Sequence, residues 1–228
     1  MSRGMTRKRS VIRKIGVGLD LLGEHGLVSF TFRIFPWFLR RRYILFSGDL
    51  AGGVPARSPL DTPLRLTAAR SEDIPLLIGI RPGFYDDVAL RDRFGRGQKC
   101  FIGWWRDKPV HIRWAFIGSC ELPYLRRTLL LAPGAYYSDE AYTVPAFRDR
   151  GIYSGCTDLI RDSLGGLGFR RHLVMFASWD VSLIRTAEKK GLRKIGEAAV
   201  WSLLGMKLLR SRGALRDHGD GRISVDQA

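Results

Sequence analysis

Apolar positions recur at two spacings along the chain, and the two spacings alternate between about residue 62 and residue 205. Short apolar runs bounded by glycine or proline predict strands, and apolar residues three or four positions apart predict amphipathic helices. The predicted strands are Tyr43–Phe46, Leu64–Thr67, Cys100–Trp105, Val110–Gly118, Thr128–Leu131, Ala141–Val144, His172–Ala177 and Ala198–Leu204. The predicted helices begin at Ser71, Tyr85, Ile152 and Leu183.

Residues 47–63 hold Ser-Gly and Gly-Gly pairs and three prolines, a composition typical of a linker. We therefore predict three parts: an N-terminal extension with its linker at residues 1–61, an α/β (α+β) domain at residues 62–210, and a polar, mobile tail at residues 211–228. Within the extension, apolar spacing over residues 10–22 predicts a short amphipathic helix.

Charge distinguishes the extension from the rest. The 228 residues include 38 Lys and Arg against 22 Asp and Glu, a net charge of +16, and residues 1–60 carry eleven of these bases against three acids. Basic clusters flanking an aromatic stretch suit an anionic membrane surface, nucleic acid, an acidic protein or a solvated surface. A transmembrane span is not predicted, because Arg33 and Pro36 interrupt the longest apolar stretch. Nucleic acid is an unlikely partner, because no nucleic-acid-binding motif is present.

Three widely spaced cysteines and four histidines form no disulfide framework and no metal-binding pattern. No secretory signal is recognisable. We therefore expect a cytoplasmic protein, peripheral at the inner membrane surface if the extension binds lipid, with no metal.

The turn Arg148-Asp149-Arg150-Gly151 stands between a predicted strand and a predicted helix. Free backbone N–H groups and the positive end of the helix dipole make such a helix start an anion site. Gly151 lets the backbone approach a ligand closely, and the two arginines add fixed positive charge. The pattern indicates a pyrophosphate site.

At these residues the sequence resembles the GNAT superfamily of acyl-CoA-dependent N-acetyltransferases. The resemblance rests on Thr143–Tyr153 and Asp180–Leu192 and covers roughly residues 62–205. It implies a splayed, mixed β-sheet flanked by helices, with pantetheine between the strands that end at Val144 and near Ser178. It also implies acetyl-CoA or another acyl-CoA as cosubstrate, held by Thr143, Val144, Arg148, Asp149, Arg150, Gly151, Ile152, Tyr153 and Asp180.

This chain departs from the family pattern at three positions. Tyr153 replaces a small residue, so its ring either crowds the phosphates or turns into the core. Asp180 replaces an asparagine, and its alternative role is a helix N-cap. Ala187 stands where many members have a tyrosine that protonates the leaving thiolate.

Acyl transfer to an amine needs a base and an acid. Glu140 is the predicted base, with Asp139 second, and Tyr142 is the predicted acid, with Tyr136 and Tyr137 as alternatives. The alternative roles are a strand-edge salt bridge for Glu140 and packing for the tyrosines. Cys156 is predicted to lie in the core, and His111 and His172 to be structural.

Three functions are compatible with these observations. The first is acyl transfer from acyl-CoA to a small-molecule or peptide amine. The second uses the same fold with an acidic acyl carrier protein as donor, steered by the basic surface. The third is a binding module that residues 1–60 hold on a membrane or nucleic acid, with the acyltransferase fold inactive.

Overall fold

The computed structural model describes residues 40–50, 64–203 and 206–226. The predicted helix at residues 10–22, the aromatic basic stretch before residue 40 and the linker at residues 51–63 lie outside this part of the chain. The chain divides into two compact units, residues 1–41 with 199–209 and residues 42–198 with 210–228. In the first, the guanidinium of Arg40 lies 5.4 Å from the ring centroid of Trp201. The candidate site lies entirely in the second unit.

The elements follow the predicted alternation. The strands are β1 (Arg40–Asp49), β2 (Leu64–Ala69), β3 (Lys99–Trp105), β4 (Lys108–Ile117), β5 (Ser119–Leu122), β6 (Arg127–Leu130), β7 (Ala135–Thr143), β8 (Arg171–Ala177), β9 (Arg193–Leu203), β10 (Met206–Gly213), β11 (Leu215–Asp217) and β12 (Arg222–Val225). The helices are α1 (Ile74–Ile80), α2 (Asp87–Gly95), α3 (Ile152–Gly166) and α4 (Val181–Lys189). Ser71 opens a 3₁₀ turn, Ser71–Asp73, rather than the α-helix itself.

Eight strands form the main sheet in the order β10-β9-β1-β8-β7-β4-β3-β2. Most neighbours are antiparallel, but β7 and β8 are parallel. The sheet is therefore mixed, as the resemblance implied, and it is flanked by helices.

Helix α3 covers one face of this sheet. Its residues Ile152, Cys156, Ile160 and Leu164 recur every fourth position and are at most 2% exposed, which is the spacing of a single helix face. They pack against strand residues such as Val110 and Ala115. Cys156 therefore belongs to the core, as predicted.

Helices α1 and α2 lie on the opposite face. Trp114 alternates with Ala115 along β4, so its side chain points away from α3. Its ring centroid lies 5.3 Å from that of Phe94 on α2, and its indole N–H donates to the hydroxyl of Tyr85 at 3.2 Å. Ala115 therefore faces α3, and its neighbour Trp114 faces α2 on the other side of the sheet.

The structure corrects the predicted boundary at residue 62. Strand β1, assigned from sequence to the extension, pairs antiparallel with β8 from Tyr43 opposite Ala177 to Asp49 opposite Arg171. Phe46 is 1% exposed and packs with Val174, Phe176 and Ala187. The strand is an interior member of the sheet because its apolar residues complete the core beneath α4.

The structure also differs from the predicted mobile tail. Residues after 211 form β11 and β12, which join the β5–β6 hairpin in a four-stranded sheet of order β11-β12-β6-β5. Ile223 is fully buried, and Arg127 pairs with Asp217 through two hydrogen bonds of 3.0 and 2.9 Å. The apolar side chains of Leu215 and Ile223 are buried and anchor a segment whose composition is otherwise polar. Within the described residues, no helix is long and apolar enough to cross a membrane.

Candidate active site

Strands β7 and β8 separate along their length. Their parallel pairing extends only from Ala135 opposite Arg171 to Ser138 opposite Val174. Beyond this point β7 remains paired with β4 and β8 with β1. The two strands therefore leave between them a wedge-shaped opening, here called the wedge, in which their backbone polar groups are not paired with each other.

A β-bulge in β7 lies at the start of the wedge. Asp139 pairs with Trp114 and Tyr142 with Ile112, so Glu140 and Ala141 together oppose Arg113. Glu140 adopts a φ of 51°, which is rare for a residue with a side chain. Bulges bend and twist a strand, and this one turns β7 away from β8.

The turn after β7 delivers free amides to one end of α3. Asp149 and Gly151 have φ values of 62° and 72°, and Gly151 is the N-cap without any side-chain cap hydrogen bond. The first helical bond runs from the Gly155 N–H to the Gly151 carbonyl at 2.9 Å. The N–H groups of residues 152–154 therefore have no partner within the helix, at the positive end of its dipole.

A cleft of about 470 Å³ adjoins these amides. Its walls are residues 141–143 of β7, residues 147–149 and 151–154 of the turn and α3, and Ser182, Leu183 and Thr186 of α4. Seven of the predicted residues line it: Tyr142, Thr143, Arg148, Asp149, Gly151, Ile152 and Tyr153.

Four predicted site residues lie outside the lining of this cleft. They are Glu140, Val144, Arg150 and Asp180. The guanidinium of Arg150 lies 5.5 Å from the ring of Phe147 and 5.9 Å from that of Trp105, whereas Arg148 lines the cleft and donates from Nε to the Thr143 carbonyl at 3.1 Å. The two arginines of the turn thus point to different places.

Asp180 occupies the N-cap position of α4, but its carboxylate caps nothing. Only its backbone carbonyl accepts, from the N–H groups of Leu183 and Ile184 at 3.1 Å. Partial burial raises the pKa of the carboxyl group. The side-chain cap that the sequence offered as the alternative role is therefore not formed, and the residue lies outside the lining of the cleft.

Tyr153 turns its ring toward the sheet. The ring lies edge-on to His111, with centroids 6.2 Å apart, and 4.9 Å from the guanidinium carbon of Arg113. It therefore forms part of the cleft wall without covering the free amides of the turn.

Glu140, the predicted base, is held in an ion pair. Arg93 of α2 donates to both of its carboxylate oxygens, at 2.7 and 2.8 Å, and both side chains are about three-quarters buried. This is the salt-bridge alternative that the sequence left open. Arg93 is a site residue that sequence reasoning missed, because nothing local links it to a position 47 residues away.

Asp139, like Glu140, lies outside the lining of the cleft, but no ion pair within the described residues holds its carboxylate. Burial is the main cause that raises the pKa of its carboxyl group to about 6, while the Glu140 N–H donates to Oδ1 at 2.7 Å. Oδ2 accepts no hydrogen bond from the described residues. Nearby, the hydroxyls of Tyr124 and Tyr137 lie 2.9 Å apart. Both phenols have pKa values raised by burial first and then by neighbouring charges that include Asp139.

Tyr142 lies between two cations. The guanidinium carbon of Arg81 is 5.0 Å from its ring centroid and that of Arg148 is 6.0 Å away. Ala187, where the family pattern has a tyrosine, is buried against β1 and β8. Among the tyrosines predicted as acids, Tyr142 is the one that lines the cleft.

The histidines are structural, as predicted. His111 is fully buried with Nδ1 2.8 Å from the Thr143 hydroxyl, and burial lowers its pKa to about 3. His172 is 1% exposed, 2.8 Å from the Ser138 hydroxyl, and burial lowers its pKa as well. Both rings are therefore neutral and cannot serve as proton acceptors for a substrate.

Comparison with known proteins identifies the fold. No known family profile and no curated protein matches the chain. Among solved structures, it is similar to an acetyltransferase described as of the GNAT family from Novosphingobium aromaticivorans, with 15% identity, a TM-score of 0.50 and coverage of 70% of this chain and 62% of that one. A Drosophila protein matches with 11% identity, a TM-score of 0.50 and coverage of 75% and 56%.

These likenesses show the fold alone, and the chain covers less than two thirds of either structure. The protein has the GNAT fold, as the motifs at Thr143–Tyr153 and Asp180–Leu192 indicated. In this chain β1 lies inside the eight-stranded sheet, between β9 and β8, and the β5–β6 hairpin belongs to the four-stranded sheet.

Proposed function

We propose that the protein transfers an acyl group from an acyl-CoA to an amine. The observation that carries this proposal is the combination of three features: free amides at the start of α3, the cleft that adjoins them, and the wedge between β7 and β8. A diphosphate suits the amides, and an extended pantetheine arm suits an opening between two strands whose backbone groups face it.

The residues of the turn fit the cofactor. The uncapped N-terminus of α3 leaves three N–H donors for phosphate oxygens, and the glycine at the N-cap adds no side chain there. Arg148 lines the same cleft and adds a guanidinium that can bind phosphate through two N–H groups. When bound, the cofactor supplies a thioester whose C–S bond breaks as a C–N bond to the acceptor forms.

We assign the proton acceptor to Asp139. An amine that is protonated at neutral pH must lose a proton before it can attack, and Oδ2 of Asp139 is free to accept it directly or through water. A carboxyl group with a pKa of about 6 is mostly ionised at pH 7 and still a stronger base than an ordinary aspartate. Glu140 holds Arg93 and positions the bulge instead.

We assign proton donation to the leaving sulfur to the hydroxyl of Tyr142. It lines the cleft, and Arg81 and Arg148 on either side of its ring stabilise negative charge that develops nearby. The alternative donors Tyr136 and Tyr137 are fully buried, which keeps them from a ligand in the cleft.

Titration calorimetry with CoA tests the donor site first. We expect saturable binding that weakens about tenfold or more in Arg148→Ala, because a charge-assisted contact to phosphate is lost. Arg222→Ala removes an equal charge from an exposed pair with Asp220 and serves as the control. Absence of CoA binding to the intact chain would refute the proposal.

Release of free thiol from acetyl-CoA in the presence of a panel of amines then tests transfer. We expect release to depend on the amine and to stop in Asp139→Asn. Release that is independent of any amine would indicate thioester hydrolysis rather than transfer.

A further inference from the structure

Arg113 is a buried cation on the α3 face of β4. Arg113 is only 3% exposed. Nη1 donates to the Thr157 hydroxyl at 2.5 Å, Nη2 lies 3.5 Å from the Tyr153 hydroxyl, and Nε has no hydrogen-bond partner. Both partners are neutral, although a buried charge ordinarily has a counter-ion.

No carboxylate of the described residues lies within ion-pair distance of Arg113, although its charge acts at a distance on Asp139 and opposes the burial that raises the pKa of that carboxyl group. The nearest acid on α3, Asp158, pairs with Lys190. Asp139 is on the opposite sheet face, because it pairs with Trp114, the neighbour of Arg113. The histidines next to Arg113 are neutral, and its charge contributes to the lowering of their pKa values.

Arg161 shows how the same protein satisfies a structural arginine. It is also 3% exposed, but it donates to the backbone carbonyls of Lys190 and Asp49 at 2.9 and 3.1 Å. Lys190 ends α4, where the helix dipole is negative. Arg161 thus donates to two carbonyl oxygens, whereas the partners of Arg113 among the described residues are two hydroxyl groups.

The position of Arg113 relates it to the wedge. It is the residue that opposes the bulge at Glu140 and Ala141. The ring of Tyr153, which lies against its guanidinium, is also a wall of the cleft. A rotation of this ring would join the guanidinium to the cleft at the level of the bulge.

We propose that the preferred donor carries a dicarboxylic acyl group, such as malonyl, succinyl or glutaryl, whose free carboxylate pairs with Arg113. This inference rests on the proposed function, since a pantetheine arm that follows the wedge from the turn brings the acyl end to the bulge. The carboxylate accepts from Nε and Nη2 of Arg113, and Tyr153 moves aside to admit it. The missing counter-ion is then supplied by the substrate.

Calorimetric titration with three ligands tests the proposal: CoA, butyryl-CoA and succinyl-CoA. Butyryl and succinyl groups have the same number of carbon atoms, and only the second has a free carboxylate. We expect succinyl-CoA to bind roughly 10- to 100-fold more tightly than butyryl-CoA, as charge-assisted hydrogen bonds allow. Arg113→Met should abolish the difference, and Arg113→Lys should retain part of it.

Arg161→Met is the matched control, because it removes a second arginine of equal burial and should leave the ranking of ligands unchanged. If Arg113→Met does not fold, the relative affinities of the unmodified protein for butyryl-CoA and succinyl-CoA still test the proposal. Equal binding of butyryl-CoA and succinyl-CoA, with CoA itself bound, would overturn this inference and leave the proposed function intact. Failure of all three ligands to bind would overturn the proposed function.

Discussion

The guanidinium of Arg93 donates to both carboxylate oxygens of Glu140, Nη1 to Oε2 at 2.7 Å and Nη2 to Oε1 at 2.8 Å. The pair joins α2 to the bulge of β7. It therefore fixes the strand at the point where the wedge begins, and it occupies the carboxylate that the sequence favoured as a base.

This pair should show energetic coupling. A double-mutant cycle with Arg93→Met and Glu140→Gln should give a coupling free energy of about 1 to 2 kcal/mol, because the contacts are charge-assisted and largely removed from water. Urea unfolding of the four proteins measures it. The exposed pair of Arg91 and Asp87 is the comparison and should give much weaker coupling, because water screens it. Equal coupling in both pairs would contradict a structural role for the first.

Substitutions of Asp139 and Glu140 should have different effects on kcat. Asp139→Asn should lower kcat by about 10²-fold or more, the usual contribution of a positioned base, with the Kd for CoA unchanged. Glu140→Gln should lower kcat less, because it leaves Asp139 in place. Steady-state kinetics with both variants decide between the two carboxylates, and a larger loss in Glu140→Gln would return the base to Glu140.

The pH dependence of the reaction should follow Asp139. With a pKa of about 6, the group is protonated at lower pH and cannot accept a proton, so kcat/KM should fall as pH decreases through 6. The contribution of Asp139 to the stability of the native state has the opposite pH dependence, because it is greatest at low pH. A carboxyl group with a raised native pKa stabilises the native state below its unfolded pKa, and that contribution disappears as pH rises through about 6.

Asp139→Asn should therefore raise Tm relative to the unmodified protein at pH 8 and much less at pH 4. The Asn side chain keeps an oxygen that can accept from the Glu140 N–H. Calorimetric scans at the two pH values measure the difference, and a Tm increase of equal size at both would exclude ionisation as its cause.

The C-terminal strands should contribute to stability. Ile223→Ala should destabilise the protein by about 2 to 4 kcal/mol, since the side chain is fully buried. Val88→Ala is the control, because Val88 is 74% exposed and its truncation should change stability by less than about 0.5 kcal/mol. Thermal melting of both compares them. An unchanged Tm in Ile223→Ala would mean that residues 222–225 are not anchored.

The sequence predicts the elements well where periodicity and turns agree. Helix α3 begins at Ile152 as predicted because Gly151 ends the turn and four apolar residues follow at helical spacing. The turn from Arg148 to Gly151 predicts the free amides because that geometry is local. The GNAT fold follows from the same motif together with Asp180–Leu192.

The remaining features depend on residues far apart in the chain. The order of strands cannot be derived from a short run such as Tyr43–Phe46, because its partner in the sheet is chosen by packing beneath α4. Position in the sequence could not distinguish the two adjacent carboxylates, because the ion pair of Glu140 is made with Arg93, 47 residues away. Arg113 has no local signature, since a charged residue within a strand is ordinarily expected on the surface.

The interior position of β1 has a consequence for how the chain folds. Arg171 of β8 donates from Nε to the hydroxyl of Ser47 in β1, and the two residues are 124 positions apart in the sequence. Most of the domain is synthesised between them. Folding is slow when native contacts join distant residues, because a long loop must close before they form. During synthesis on the ribosome, β1 remains unpaired until β8 has been made. An exposed apolar strand of this kind is prone to aggregate. The central sheet is thus completed by the earliest of its strands only after nearly all the others have been made.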